Sequence, residues 1–221
     1  MMLCHPQLDG VLDFAGTKVP TMVVEAPSFL RLFLQDMYEQ LDGMDGQIQL
    51  MEQDKRLPFG TWVEVIDNFL HFELNTKSLL NKIIAAMERM SSTEMYMLKT
   101  ADILQRVESY ADELAFAFDC DIACSHCTVS GLLKGMGITV RDEYDDPLER
   151  LIDYMELVRE FDRDKLFVYV NLRSFFSDEE VTRFLATALN HGYRILLLDA
   201  QDHAKLPLEN RITIDKDLCE F

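Results

Sequence analysis

Three cysteines within eight residues form the pattern with the most distinctive chemistry in this sequence. They are Cys120, Cys124 and Cys127, and His126 lies directly before the last of them. Thiolates and imidazole are the ligands that zinc prefers in proteins, so this segment predicts either a metal-binding protein or a metal-dependent enzyme. The alternative is that the three side chains pack as small apolar groups at the end of a helix. The residues alone leave both interpretations open.

The same C-x3-C-x2-C spacing holds the iron–sulfur cluster of radical enzymes that use S-adenosylmethionine. Three thiolates can bind such a cluster and leave one iron open. In those enzymes the cysteines lie near the start of a large barrel of repeated βα units. Here they follow a long helical pattern inside a helical region, which argues against a cluster.

Nucleotide hydrolysis is disfavoured by the turn at residues 25–28. A buried strand is predicted to pass there directly into a helix, the position of the phosphate loop in nucleotide-binding α/β proteins. Such a loop needs glycines for close backbone approach and a lysine for the phosphates. The turn instead contains Glu25 and Pro27. We therefore expect no nucleotide cofactor, and only a minor case for a magnesium ion at Asp199, which ends a later strand.

Composition indicates an ordinary globular protein of 221 residues with 48% hydrophobic residues. No apolar run is long enough to cross a membrane, and residues 1–6 lack the features of a secretion signal. We therefore expect a cytoplasmic protein whose five cysteines are reduced. The formal charge of -18 argues against nucleic acid, unless basic side chains are confined to one face or channel.

A strand–helix–strand unit is predicted over residues 165–200. Residues 166–170 and 194–198 are short apolar runs, typical of strands buried on both faces. Between them, Ser177 and Glu180 have the spacing of a capping box, and Gly192 ends the helical pattern. Two strands joined by one helix are predicted to be parallel. Further strands are predicted at residues 11–14, 19–24, 48–52 and 211–214.

Residues 61–160 have helical periodicity nearly throughout. Ser91 and Glu94 predict a second capping box, which would open a long helix. The buried side of that helix is predicted to carry Leu104, Val107, Ala111, Leu114 and Phe118. The resulting fold class is α/β: a discontinuous α/β head of residues 1–60 and 161–221, with parallel strands and a degenerate P-loop-like turn, and an inserted all-helical leg of residues 61–160.

Several stretches spread along the chain carry a resemblance to a known family. They are ML at 2–3, PQLD at 6–9, SGLLKGMGITV at 130–140, KLFVYVN at 165–171, DEEV at 178–181, ILLLD at 195–199 and ITI at 212–214. In order, spacing and length, the chain resembles the adaptation protein of type II-A CRISPR loci, the Csn-two family.

This resemblance implies a function without catalysis. Members of the family form homotetrameric rings that encircle double-stranded DNA and load at its free ends. They act in spacer acquisition, a step of antiviral defence, beside the integrase proteins and the effector nuclease. The resemblance therefore implies double-stranded DNA ends, further copies of this chain and those CRISPR proteins as partners, and no membrane. A ring with a basic lumen would also reconcile DNA binding with an acidic chain.

The resemblance also implies candidate site residues. Lys134 matches a lysine of the family's leg and is the first candidate for contact with DNA. The other basic candidates are Arg141, Lys55, Lys77 and Lys82.

A calcium-binding acidic segment follows the long leg helix in the family. Asp119 and Asp121 match carboxylates of that segment, but later acidic positions are Ala123, Cys124 and Ser125. The expected metal is therefore calcium at a depleted site, with zinc at the three cysteines as the alternative.

Overall fold

The computed structural model describes residues 1–69 and 72–221, and its strands lie within residues 2–66 and 166–214, on either side of a series of four α-helices. The strands are β1 (Met2–Cys4), β2 (Leu12–Asp13), β3 (Val19–Val24), β4 (Gln49–Glu52), β5 (Lys55–Leu57), β6 (Val63–Ile66), β7 (Leu166–Val170), β8 (Arg194–Asp199) and β9 (Glu209–Ile214). The α-helices are α1 (Pro27–Leu41), α2 (Phe59–Trp62), α3 (Lys77–Ser91), α4 (Met97–Phe116), α5 (Val129–Gly135), α6 (Pro147–Phe161) and α7 (Asp178–His191).

The central sheet has five parallel strands in the order β6-β7-β8-β3-β9. The predicted unit of β7, α7 and β8 is confirmed in detail. Ser177 and Glu180 form both hydrogen bonds of the capping box, and Gly192 ends α7 in the left-handed conformation at a φ of 72°. Every residue of β3 and β7 is buried, as expected of strands covered on both faces.

A smaller antiparallel sheet packs on the same hydrophobic core. Its strand order is β2-β1-β4-β5. Helix α1 contributes Phe29, Phe33 and Met37 to a cluster that also contains Leu3 of the small sheet and Val168 of the central sheet. The amphipathic spacing of α1 therefore joins the two sheets into one core.

Two compact units divide the chain. The first, the α/β unit, comprises Met1–Phe72 and Tyr144–Phe221, and the second, the helical unit, comprises Glu73–Glu143. The sequence had predicted the boundaries at residues 60/61 and 160/161. The two units of the structure instead meet at residues 72/73 and 143/144. β6 and α6 belong to the α/β unit because β6 pairs with β7 and α6 packs on α7. The fold is thus a discontinuous α/β unit with an inserted helical unit.

Two details predicted for the helical unit are wrong. Ser91 lies in the last turn of α3, and α4 begins after Tyr96 without a side-chain cap, so Ser91 and Glu94 do not open a helix. None of the side chains of α4 is buried. Among the five residues predicted for its buried side, Leu104 and Ala111 are half-buried, and the rest are exposed. Periodicity revealed the apolar character of the helix but not what covers it.

Buried charges connect the elements at one side of the central sheet. Arg173, which follows β7, contacts Glu209 at 3.2 Å and Asp178 at 2.6 Å. Arg211 contacts the other oxygen of Glu209 at 2.6 Å. The Glu209 side chain is fully buried, so its charge depends on these two guanidinium groups for compensation.

Asp199 lies near these charges but forms no ion pair with either arginine. Its residue is 1% exposed, and neither carboxylate oxygen has a hydrogen bond of standard geometry. Burial raises the pKa of Asp199 to about 6, although the charge of Arg173 and the nearby Arg173 backbone amide act in the opposite direction. The folded protein therefore holds a proton on this carboxyl group more tightly than the unfolded chain does.

Replacing Asp199 with Asn should change the pH dependence of stability. Because the folded-state pKa is raised, Asp199 stabilises the fold fully only below the unfolded pKa and loses that contribution as the pH rises to about 6. Between pH 4 and pH 7, the free energy of unfolding of the unmodified protein should fall by about 2 kcal/mol relative to that of Asp199→Asn. Urea unfolding at the two pH values and equal protein concentration measures this difference.

Asp217→Asn is the control, since Asp217 is an exposed aspartate. Its stability should follow that of the unmodified protein with pH. Parallel profiles for the unmodified protein and Asp199→Asn would show that Asp199 ionises normally.

Candidate functional site

A groove of about 700 Å³ lies in the helical unit between the start of α3 and the end of α5. Two lysines line it, Lys77 from α3 and Lys134 from α5. Apolar side chains of Leu80, Ile84 and Ile138 line it as well. We call it the α3–α5 groove. It brings together two of the five basic residues that the sequence proposed as DNA contacts.

Local sequence signals explain why these lysines lie where they do. Thr76 caps α3 by accepting a hydrogen bond from the Leu79 amide, which makes Lys77 the first helical residue. Lys134 occupies the last turn of α5, and Gly137, at a φ of 68°, redirects the chain just beyond it.

Asn75 fixes the two ends of the groove to each other. Its side chain donates to the carbonyl oxygen of Val140 at 3.0 Å and accepts from the Val140 amide at 2.8 Å. This pair of bonds connects the residue before the α3 cap to the chain that follows α5. The backbone around both lysines is therefore held by hydrogen bonds as well as by packing.

The groove suits an anion better than a cation. Both lysines are exposed and positively charged, and the N-terminus of α3 adds the partial positive charge of its free amides. Glu73 is the acidic residue of the lining. The two lysines can hold a phosphate group by charge-assisted hydrogen bonds.

The other basic candidates do not line this groove. Lys82 is half-buried on α3, and Arg141 is exposed in the segment after α5. Lys55 is exposed on β5, in the α/β unit. The roles of all five residues in DNA binding stay predictions.

Sequence reasoning missed the polar residues beside the lysines. Asn75, Thr76 and Asn81 also line the groove. The signal for Thr76 was available, because a threonine directly before a helical apolar period is a typical N-cap. The pairing of Asn75 with Val140 leaves no local signal, since its partner is distant in the sequence.

The predicted metal ligands lie between α4 and α5. Asp119, Cys120, Asp121 and Cys124 are exposed, and Cys127 is half-buried. Within residues 1–69 and 72–221, the structure contains no group of three or more His, Cys, Asp or Glu side chains placed to hold a metal ion. Both the calcium and the zinc sites therefore stay predictions.

The turn between β3 and α1 contains only Glu25 and Ala26. Ala26 is the N-cap residue and offers no side-chain hydrogen bond, and Pro27 opens the helix. A two-residue connection of this composition provides neither glycines nor a lysine for phosphate groups.

None of the helices among the described residues is long and apolar enough to span a membrane.

Comparison with known proteins identifies a family. A family profile described as "CRISPR-associated protein (Cas_Csn2)" matches residues 40–218. No curated protein matches the sequence significantly. Among solved structures, the crystal structure of Stu0660 of Streptococcus thermophilus superposes with a TM-score of 0.60 at 14% sequence identity.

The structural match covers 97% of this chain and 74% of the other. At this low identity it establishes a shared fold alone. The profile match spans most of the sequence and both units. The chain therefore belongs to the Cas_Csn2 family of CRISPR-associated proteins.

Proposed function

We propose that this protein is a non-catalytic DNA-binding protein of CRISPR spacer acquisition, which assembles as a ring of four copies and encircles double-stranded DNA from a free end. The observation that carries the proposal is the convergence of Lys77 and Lys134 on one groove in a member of the Cas_Csn2 family. The protein would act in the cytoplasm beside the integrase proteins and the effector nuclease of the same system.

The distribution of charge is compatible with DNA binding by the helical unit. Residues 73–143 carry seven Lys and Arg against eleven Asp and Glu. The α/β unit carries the other fourteen basic and twenty-eight acidic residues. Most of the excess negative charge therefore lies outside the unit that contains the groove. Phosphates attracted to Lys77 and Lys134 meet less repulsion there than the overall charge suggests.

The surface of α4 supports self-association. Tyr96, directly before α4, is followed within the helix by Ile103, Val107, Tyr110 and Leu114 at steps of seven, four, three and four residues, the spacing of one helix face. We call this set the α4 stripe. Its side chains are 37–62% exposed, which leaves them uncovered on a helix with no buried residue. Such a surface is typical of an interface between protein chains, and a second copy of this chain is the proposed occupant.

Linear and covalently closed circular duplexes of the same sequence should behave differently in a mobility-shift assay at low salt. A ring that loads from an end shifts the linear duplex and leaves the closed circle unshifted. Equal shifts of both would indicate attachment to the side of the DNA. No shift of either would contradict DNA binding itself.

Lys134→Glu should weaken binding to linear duplex more than a distant charge change does. Losing one phosphate contact should lower the slope of log K against log salt by about 1, because fewer counterions are released. The measurement is a salt titration of the dissociation constant by fluorescence anisotropy.

Lys216→Glu is the matched control, since Lys216 is an exposed lysine of the α/β unit and the charge change is identical. Light scattering on each variant separates a loss of DNA contact from a loss of assembly. Equal effects of the two substitutions would remove Lys134 from the DNA site.

Tyr110→Glu should dissociate the assembly without unfolding the chain, because the Tyr110 side chain is 62% exposed. Placing a charge within the α4 stripe makes its burial against another copy costly. Multi-angle light scattering should give a smaller mass than the tetramer. Gln105→Glu introduces the same charge at an exposed position of α4 outside the stripe and should keep the full mass. Tetramers for both variants would exclude the α4 stripe as the interface.

A further inference from the structure

The segment of residues 120–127 fits calcium poorly. Calcium takes six to eight oxygen ligands in proteins. Near this segment, the matching carboxylates are those of Asp119 and Asp121, and the following positions are occupied by Ala123, Cys124 and Ser125. Two exposed carboxylates do not form such a shell. The site implied by the family is therefore unsuited to calcium in this chain.

The same segment is rich in ligands for a softer ion. Cys120, Cys124 and Cys127 are all free thiols, and none is fully buried. Three thiols within eight residues, none of them in a disulfide, are therefore available as ligands. Together with His126 they form a complete Cys₃His set, one of the ligand sets found in structural zinc sites.

We propose that residues 120–127 form a zinc site in which the thiolates of Cys120, Cys124 and Cys127 and the Nε2 atom of His126 bind the ion. Each thiol releases its proton to solvent when zinc binds. The site replaces a hard, oxygen-based calcium site by a soft, sulfur-based one in the connection between α4 and α5.

A carboxylate on α4 lies beside the histidine, within reach of its ring. The Nδ1 atom of His126 lies 3.4 Å from an oxygen of Glu108 on α4, and the His126 side chain is otherwise fully exposed. The same oxygen accepts the backbone amide of Cys127 at 2.7 Å. Histidines that bind metals usually donate their other ring N–H to a carboxylate, which fixes the ring and raises its basicity. Glu108 is placed for this role and leaves Nε2 free.

The segment can rearrange around an ion at low cost. The cysteines are not clustered in the structure, as described above, so binding requires the segment to close. Residues 121–128 form neither helix nor strand. Within the described chain, no backbone amide from 119 to 126 donates a hydrogen bond. Few bonds must therefore break, and Cys127 is already held against α4 through Glu108. The free energy of metal binding then orders the remaining residues.

Cobalt(II) substitution tests this proposal on the full-length protein. The metal-free protein should bind one cobalt ion per chain with strong thiolate-to-cobalt charge-transfer absorbance, and one equivalent of zinc should remove the signal. Cys124→Ser should greatly weaken the absorbance. Cys219→Ser, which alters an exposed cysteine outside the segment, should leave it unchanged.

Glu108→Gln tests the positioning role and should lower zinc affinity about 10–100-fold in competition with a chelator, while the spectrum keeps its thiolate bands. Glu113→Gln is the control, an exposed glutamate on the same helix. Absence of thiolate absorbance, equal loss in Cys219→Ser, or iron with sulfide in anaerobically purified protein would overturn the zinc site. None of these measurements involves DNA, so their outcome is independent of the proposed ring function.

Discussion

The pairing of β3 between β8 and β9 is the constraint on which the rest of the structure depends. β3 comes from the beginning of the chain, and both of its neighbours come from the end. The central sheet therefore closes only when the two ends of the sequence meet. Every residue of β3 is buried, so this pairing also organises the hydrophobic core. The helical unit is therefore inserted between two segments of the chain that both belong to the α/β unit.

Charged side chains buried beside this sheet limit which substitutions the fold tolerates. Glu209 begins β9, and the guanidinium groups that contact it come from the turn after β7 and from β9 itself. Removing either arginine would leave the buried carboxylate with one guanidinium group instead of two, and a buried charge that loses compensating partners is strongly destabilising. Asp199 already approaches that situation, since its neighbours only partly offset the cost of burial. The two buried carboxylates thus differ, because Glu209 is well compensated and Asp199 is poorly compensated.

Local signals made part of the structure predictable. The β7–α7–β8 unit could be predicted because Ser177, Glu180 and Gly192 act within a few residues of where they lie. The strand β6 was missed because Val63–Ile66 is a four-residue run at the edge of the sheet, and its partner β7 lies far along the chain. For α4, apolar spacing predicted a helix correctly but could not reveal whether its face meets the same chain or another one.

The candidate site was predictable only as separate residues. Lys77 and Lys134 were both proposed from the sequence, yet their convergence depends on the packing of α3 with α5. Likewise, the spacing of the three cysteines was visible in the sequence, but the contact of Glu108 with His126 was not. The chemistry of a single residue can be recognised from the sequence around it. Its partner in a site often comes from another helix, and the sequence does not show that the two meet.

The double hydrogen bond between Asn75 and Val140 has an evolutionary consequence. It ties the chain entering the helical unit to the chain leaving it, so the unit is closed at its base by its own residues. Sequence between these two points can be lengthened, shortened or replaced without altering the register of the central sheet. The sequence of the helical unit can therefore change independently of the central sheet. A cysteine-rich connection between α4 and α5 is therefore compatible with an unchanged central sheet.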